Sequence, residues 1–469
     1  MAEKTKKGGF SSSLGFVLAA AGSAVGLGNI WRFPYLAAKD GGGLFLLVYL
    51  LLVLTFGFSL LLTDITIGRK TGKSSISAFS SIGKRWGFVG ALAFIVPSVI
   101  MPYYTAIGGW ILKYTVAMFG GLKNTAKDGY FTDFISSTWA PILWALLFLV
   151  LTAVIVYFGV EKGIERFSKI IMPGLLVLIL IISVYALTLK HTDQNGETRT
   201  GLQGLLVYII PNFEGLTFAK FMQVLLDAMS QLFFSLSVAM GIMITYGSYV
   251  KKDVNLSKSV TQIEAFDTGV AFLIGMMIIP AVYAFSGTEG MKANGPGLMF
   301  VSLPKIFTEM GFIGNMVGIL FFIMVTFAAL TSSVSILEAI VANVMEKTGK
   351  SRKAITIIVS VIIAVVAAIV CLGYNKFHFV ANLPGGGTGQ ILDIMDYISN
   401  NLLMPIVCLF TCIIIGWVVK PKWIIEEVES GGHKFSRKKL YTIMIRYIAP
   451  ILMVLLLMQS VGLFKLLGI

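Results

Sequence analysis

Five side chains, Asn29, Ser235, Asp267, Thr331 and Ser332, place neutral or anionic oxygens inside long apolar runs. Oxygens of this kind suit a hard cation such as sodium. Beside the first of them, Ser23-Ala-Val-Gly-Leu-Gly-Asn-Ile-Trp-Arg-Phe-Pro34 interrupts an apolar run with two glycines, an amide, a cation and a proline. Gly costs a helix interior about 1 kcal/mol relative to Ala and Pro about 3, and backbone freed in hydrocarbon must find partners inside the protein. Freed N–H groups suit a carboxylate and freed carbonyls suit sodium. Each feature also has a plainer reading. The stretch can be a closely packed kink, Thr331 and Ser332 can bond back to their own helix, and Asp267 can sit at a helix end that reaches the interface.

The elements that must position these residues are membrane spans. Apolar residues make up 57% of the chain and charged residues 13%, far from the composition of a soluble domain. Runs of about 20 apolar residues number roughly eleven. They centre on Ala20, Leu54, Val99, Leu149, Leu180, Ser235, Gly275, Met324, Ile362, Cys408 and Val454. With the N-terminus inside, the segments Lys4–Lys7, Arg69–Arg85, Lys162–Lys169, Lys251–Lys258, Lys347–Lys353 and Lys420–Arg446 are cytoplasmic. They hold roughly 25 Lys and Arg against about 12 elsewhere, which sets the orientation and leaves the C-terminus outside. The net charge of +14 therefore reads as positive-inside bias, and no nucleic-acid partner is expected.

Other classes find little support. Cys371, Cys408 and Cys412 lie in or beside apolar runs and suggest neither a disulfide framework nor a metal set. No Gly-Lys-Ser/Thr phosphate loop and no nucleophile–base set occurs, so neither nucleotide-driven pumping nor an enzyme is expected. No cleavable signal peptide is expected, because the first apolar run is too long. His191, His378 and His433 fall in loops. The outer segments His191–Gly204 and Gly287–Pro304 are long enough to cover a vestibule.

Internal symmetry is the informative pattern. The sixth span carries Ser235-Leu-Ser-Val-Ala-Met-Gly241, a small-residue break at the same mid-span depth as the first. Two interrupted spans, five apart, point to inverted five-helix repeats with a midplane site between them. The expected architecture is an all-α integral membrane protein, one polytopic domain over 1–469. Its first repeat is 12–190, its second 215–420, and an extra helix follows at 437–469.

Gly22–Pro34 resembles the first-helix signature of the neurotransmitter:sodium symporter family. Tyr103-Tyr104-x5-Trp110 is similar to that family's third helix, Gly159–Arg166 to its second inner loop and Gln231–Ser237 to its sixth helix. Gly295–Pro304 is similar to its fourth outer loop and Leu330–Ser335 to its eighth helix. The likeness runs from about Lys7 to Asp396 and is strongest to bacterial members with eleven spans.

The resemblance implies two sodium ions. The first would take the Ala24 carbonyl, Asn29, Ser235, Asp267 and the substrate carboxylate; the second, the Gly22, Val25 and Ala328 carbonyls with Thr331 and Ser332. Substrate would meet Ala24, Gly26, Leu27, Gly28, Tyr104 and Ser235, with its side chain against Ile100, Phe234, Ser237, Met240, Ser332 and Ile336. Chloride-dependent members carry Asn where this chain has Asp267 and Ser where it has Ala271. Asp267, beside Tyr49 and Gln231, would thus supply the negative charge that chloride brings elsewhere, and proton exchange there on the return step is a further expectation. Amine-transporting members carry Asp where this chain has Gly26. The resemblance also implies an outer gate of Arg32 and Asp396 with Tyr104 and Phe234 as a lid, and an inner latch of Lys7, Tyr249 and Glu346. Gly163 and Pro173 would let the fifth span unwind. Asp64 is expected to accept a backbone bond near the sixth-span break.

The expected function is sodium-coupled import of a neutral, hydrophobic L-amino acid across the cell membrane, without a chloride requirement. The partners are then the amino acid and the lipid bilayer, and no obligate protein partner is evident. An osmolyte or amine transporter, or a sensor or channel on the same fold, is the alternative.

Overall fold

The computed structural model describes residues 9–193, 196–292, 295–384 and 387–466. Among them, nine helices are long and apolar enough to cross a membrane: Gly43–Thr71, Lys84–Phe119, Ala140–Tyr157, Val160–Thr188, Leu256–Gly290, Gly311–Thr348, Arg352–Leu372, Ile391–Val418 and Lys438–Ser460. The bent pair Ser13–Ala24 with Gly28–Lys39 makes a tenth. The interrupted pair Phe218–Leu236 and Ile242–Gly247 lies outside that count and occupies the place expected for the sixth of eleven spans. In chain order these are the first to eleventh spans, with the bent pair first and the interrupted pair sixth.

The first span starts where expected for its sequence. The Ser12 hydroxyl accepts the Gly15 N–H at 3.0 Å, capping the helix. The helix ends at Val25, whose extended ψ of 101° leaves the backbone free before Gly28. Pro34 then sits where the π-turn Gly28–Arg32 passes into the α-helix Phe33–Lys39. The two halves meet at 55°, so the stretch is a true break.

The sixth span breaks differently. Ser237, Ala239 and Gly241 all take left-handed backbone conformations, with φ of 52°, 61° and 68°. For the two residues with a Cβ this costs roughly 1–2 kcal/mol each. Outside bonds hold it open. Asp64 of the second span accepts the Ala239 N–H at 3.0 Å, the role expected for that carboxylate. Ser237 Oγ donates to the Ser23 carbonyl at 3.1 Å, so the two interrupted spans also hold each other.

The third and eighth spans pack along their length, and the fourth and ninth lie against both. This bundle is the wall that the broken spans face. Arg69 at the end of the second span is bonded to Glu427 at 2.9 Å and to the Val254 carbonyl at 2.7 Å. Between the fifth and sixth spans, Lys190–Thr192 and Thr198–Thr200 pair as a short antiparallel hairpin, within the loop expected to cover a vestibule.

Removing the Asp64 carboxylate strands a buried N–H. Asp64→Ala is expected to lower unfolding stability by about 1–3 kcal/mol. Ala239→Gly relieves a left-handed alanine and is expected to raise it by roughly 1 kcal/mol. Thermal unfolding in detergent reads both signs.

Candidate functional site

Asn29 from the first break, Ser235 from the last turn before the second, and Asp267 from the seventh span meet at one fully buried point. Asn29 Nδ2 donates to Asp267 Oδ1 at 2.8 Å. Ser235 Oγ lies 3.0 Å from Asn29 Oδ1 and 2.9 and 2.8 Å from the two carboxylate oxygens. A hydroxyl has one proton, so it satisfies one of these three oxygens and leaves lone pairs converging on the others. A buried carboxylate short of donors is costly, and a cation relieves it. The donor set therefore fits a hard monovalent ion. Nearby, Gln231 Nε2 donates to the Gly28 carbonyl at 3.2 Å. Gln231 Oε1 is buried without a hydrogen-bond partner among the described residues, and the Tyr49 hydroxyl is buried beside Ser235.

A second convergence has the same character. Ser332 Oγ of the eighth span lies 3.4 Å from the Gly22 carbonyl, 3.2 Å from that of Ser23 and 3.2 Å from that of Val25. Again one proton faces three acceptors. Thr331 Oγ1 is 3.1 and 3.0 Å from the Phe327 and Ala328 carbonyls, so it takes the helix-bonded geometry that Thr residues in spans commonly adopt. It still borders the first span, since a Cβ at Gly22 would stand 3.2 Å from Thr331 Cβ. Gly22, Val25, Thr331 and Ser332 thus meet at the contact of the first and eighth spans, and the Ala328 carbonyl accepts from Thr331 on its own helix.

Between the two clusters lies a cavity of about 20 Å³. Its wall includes Ala24, Gly26, Leu27, Gly28, Ile100, Tyr104, Phe234, Ser237, Met240, Ser332 and Ile336, all expected in substrate contact. Ser235 is absent from the wall because its hydroxyl turns into the Asp267 cluster. Ser23, which sequence reasoning did not assign, takes a place there. No wall residue is charged. The cavity has room for about one water, so anything larger enters by displacing side chains. Phe234 is the tight point: a Cβ on Gly28 would fall 2.4 Å from its ring. A Cβ on Gly26 would fall 2.7 Å from Ser332 Oγ and 3.5 Å from the Tyr104 hydroxyl. That hydroxyl is buried at the cavity wall, beside Ser332 and the Leu27 backbone.

The charged residues expected at the outer gate take separate partners. Arg32 does not reach ion-pair distance of Asp396; its Nη2 donates to Ser230 Oγ at 2.6 Å. Asp396 accepts from the Tyr103 hydroxyl at 3.0 Å and from Asn400 Nδ2 at 2.6 Å. On the inner side Lys7 lies outside the described residues. Tyr249 donates to Glu338 Oε1 at 2.6 Å, and Glu346 accepts from the Ser74 N–H at 2.9 Å.

Among the buried carboxylates that sequence reasoning missed are Glu338, Glu165 and Glu264. Glu338 holds both Tyr249 and the Arg352 guanidinium. Glu165 accepts from the Ser11 N–H at 2.7 Å and the Ser11 and Ser12 hydroxyls at 2.6 and 3.1 Å, clamping the start of the first span to the fifth. Glu264, one turn before Asp267, is buried with neither oxygen bonded among the described residues. A visible signal existed for Glu264, a second acid in the span of Asp267. Glu165 lay within the quoted Gly159–Arg166 stretch but pointed to no partner.

Comparison with known proteins gives a consistent picture. The profile of the Sodium:neurotransmitter symporter family matches residues 7–127 and 134–468. An uncharacterised sodium-dependent transporter of Bacillus subtilis is 32% identical over 462 residues, 97% of each chain. A human sodium- and chloride-dependent GABA transporter 2 is 25% identical over 91% of this chain and 75% of its own. The crystal structure of MhsT in complex with L-phenylalanine superposes with a TM-score of 0.84 at 36% identity, covering 97% of this chain and 100% of that one.

The donor-poor clusters predict a cation effect on stability. Replacing choline with sodium at constant ionic strength is expected to raise the thermal unfolding temperature of the wild type. The rise should shrink in Asp267→Ala, which removes the carboxylate that a cation would neutralise.

Proposed function

Because the chain belongs to the sodium:neurotransmitter symporter family, a family of multi-pass, sodium-dependent membrane transporters rather than enzymes, we propose that it imports neutral, hydrophobic L-amino acids. The observation that carries this reading is the composition of the cavity wall. Helix-end N–H groups at Leu27 and Gly28 and the Tyr104 hydroxyl at the cavity wall offer donors to a carboxylate. Ile100, Phe234, Met240 and Ile336 offer apolar surface to a side chain. Met240 can adapt to several shapes. Gly26 leaves out the counter-charge a cationic amine would need, and a Cβ there would already press on Ser332. MhsT, with L-phenylalanine bound, supports the same class.

Two sodium ions would travel with the substrate. The first would sit among Asn29, Ser235, Asp267 and the Ala24 carbonyl and touch the substrate carboxylate. The second would sit among the Gly22, Val25 and Ala328 carbonyls, Thr331 and Ser332. Coupling then has a direct cause, since cation and carboxylate complete each other's shells and each raises the other's affinity equally. Both positions draw on the first break and the bundle or seventh span. Filling them would pin the first span, and emptying them would release it. Arg32, Asp396, Tyr104 and Phe234 would close the outer side. Lys7, Tyr249 and Glu346, with Glu165 and Glu338, would close the inner one, and Gly163 and Pro173 would allow the fifth span to unwind.

Chloride would not be required. Asp267 carries a fixed negative charge close to the buried hydroxyl of Tyr49, and a second anion there would be repelled. The expected topology is N-terminus cytoplasmic and C-terminus outside, from the placement of Lys and Arg, with the repeats at 12–190 and 215–420. The GABA transporter relative is the observation behind the alternative, an osmolyte or amine substrate.

Proteoliposomes settle these points. An inward sodium gradient is expected to drive uptake of a labelled hydrophobic amino acid above its outside concentration, which a channel or a sensor does not do. Leucine, phenylalanine or methionine should compete, while GABA and taurine should not. Uptake should be equal in chloride and gluconate, and a strict chloride requirement overturns that part. Gly26→Asp places a bulky anion against the substrate carboxylate and is expected to cut amino-acid uptake at least about tenfold, the equivalent of 1.4 kcal/mol.

A further inference from the structure

A groove of about 490 Å³ runs between the fourth and ninth spans, well away from the cavity of the broken helices. It extends from Leu146 to Phe158 on one helix and from Thr356 to Ala364 on the other. At 1.5 Å per residue these walls are about 18 and 12 Å long. One leaflet of the hydrocarbon core is about 15 Å deep, and a whole core about 30 Å. The groove is therefore one leaflet long. A transmembrane helix from a partner would need a seat about twice that length.

Its chemistry changes from end to end. Toward the membrane centre the walls are apolar, from Leu146 to Val150 on one helix and at Val361 and Ala364 on the other, and Ala153 makes room nearer the mouth by its small side chain. Toward the other end stand Thr356 and Ser360, whose hydroxyls have no hydrogen-bond partner among the described residues. At the mouth, Lys353 Nζ lies 5.2 Å above the ring of Tyr157, itself part of the wall. Lys350 is exposed on the turn that precedes the ninth span, and Lys162 follows Phe158 on the opposite side. Arg352 contributes less, because its guanidinium is held by Glu338. The acids nearest in sequence are Glu161, Glu165 and Glu346, of which Glu165 is held by Ser11, Ser12 and Lys169 and Glu346 accepts from the Ser74 N–H. Neither Lys350 nor Lys353 has an ion-pair partner among the described residues. The mouth thus offers two lysines to an anion at headgroup depth.

We propose that this groove binds one anionic phospholipid of the cytoplasmic leaflet. An acyl chain lies between the fourth and ninth spans, and the phosphate faces Lys350 and Lys353. Thr356 is one helical turn beyond Arg352, at the depth of the ester carbonyls, which can accept its proton. The leaflet assignment rests on the orientation proposed above; the binding does not. Both helices belong to the wall that the broken spans face, so the bound lipid stabilises the wall rather than adding to the coupling ions.

The test uses the full-length protein in detergent and no transport readout, so its outcome is independent of the substrate and of sodium coupling. Native mass spectrometry is run with phosphatidylglycerol and with phosphatidylcholine of identical acyl chains. One phosphatidylglycerol is expected to stay bound under conditions that strip phosphatidylcholine. Lys350→Gln with Lys353→Gln is expected to weaken phosphatidylglycerol more than tenfold, at about fivefold per lysine, and to leave phosphatidylcholine unchanged. Ala153→Phe fills the groove and should weaken both lipids, with Ala364→Phe as a second filling variant should the first fail to fold. Equal retention of the two lipids overturns the proposal, as does phosphatidylglycerol binding that ignores the lysine changes or the filling changes. A dimer that the filling variants dissolve assigns the groove to a second copy and overturns it as well.

Discussion

The structure depends on a shortage of hydrogen-bond donors where two helices stop inside the membrane. A backbone broken in hydrocarbon must be satisfied by protein, because no water is available to do it. Here the two breaks satisfy part of each other: Ser237 Oγ bonds the Ser23 carbonyl, and Asp64 caps the Ala239 N–H. Those bonds are enough to hold the breaks open. They are too few to quench every carbonyl, and the remainder points at Ser332 Oγ on one side. On the other, Asn29, Ser235 and Asp267 share too few protons among too many oxygens. A fully satisfied break would be a better static structure and a worse site for ions.

That tension explains which parts of the site were legible in the chain. The two breaks are visible because Gly, Pro and polar residues inside apolar runs violate local preference, and the spacing of five spans between them carries the symmetry. Asp267 and Asp64 are visible because a carboxylate in a span needs a reason. The oxygens of Thr331 and Ser332 could be read either way from residue type, and geometry separates them: Thr331 bonds its own helix, whereas Ser332 reaches the first span. Contacts across the fold left no local mark. Glu165 is ordinary at the start of a basic helix until Ser11 and Ser12 are seen to dock on it. Arg32 and Asp396 lie at matching depths, yet each finds a nearer partner, in Ser230 and Tyr103. Spacing along one helix predicts its faces and not the rotamers of long side chains on different helices.

Expected boundaries fared similarly. The sixth span was read as one interrupted helix, and the structure divides it after Leu236 with three left-handed residues before Ile242. Only Gly241 of those three advertises a left-handed backbone. Ser237 and Ala239 adopt it because bonds from the first and second spans over-determine the turn, which is how a few kcal/mol of local strain persists.

The cavity's size joins the breaks to movement. At about 20 Å³ it is far smaller than any amino acid, and the Phe234 ring rests where a side chain on Gly28 would be. Gly28 and Gly26 thus let the backbone approach what a ligand must later displace. The side chains that yield, Phe234 and Met240, lie on or beside the sixth-span break, while Ile100, Tyr104 and Ile336 belong to the third and eighth spans that pack along their length. Expansion of the cavity is therefore borne by the broken spans rather than by the bundle. The same breaks supply the carbonyls and amides around both cation clusters, so opening the cavity and changing the ion shells are one deformation. A fold that healed either break would separate those two events, and with them the physical basis for coupling.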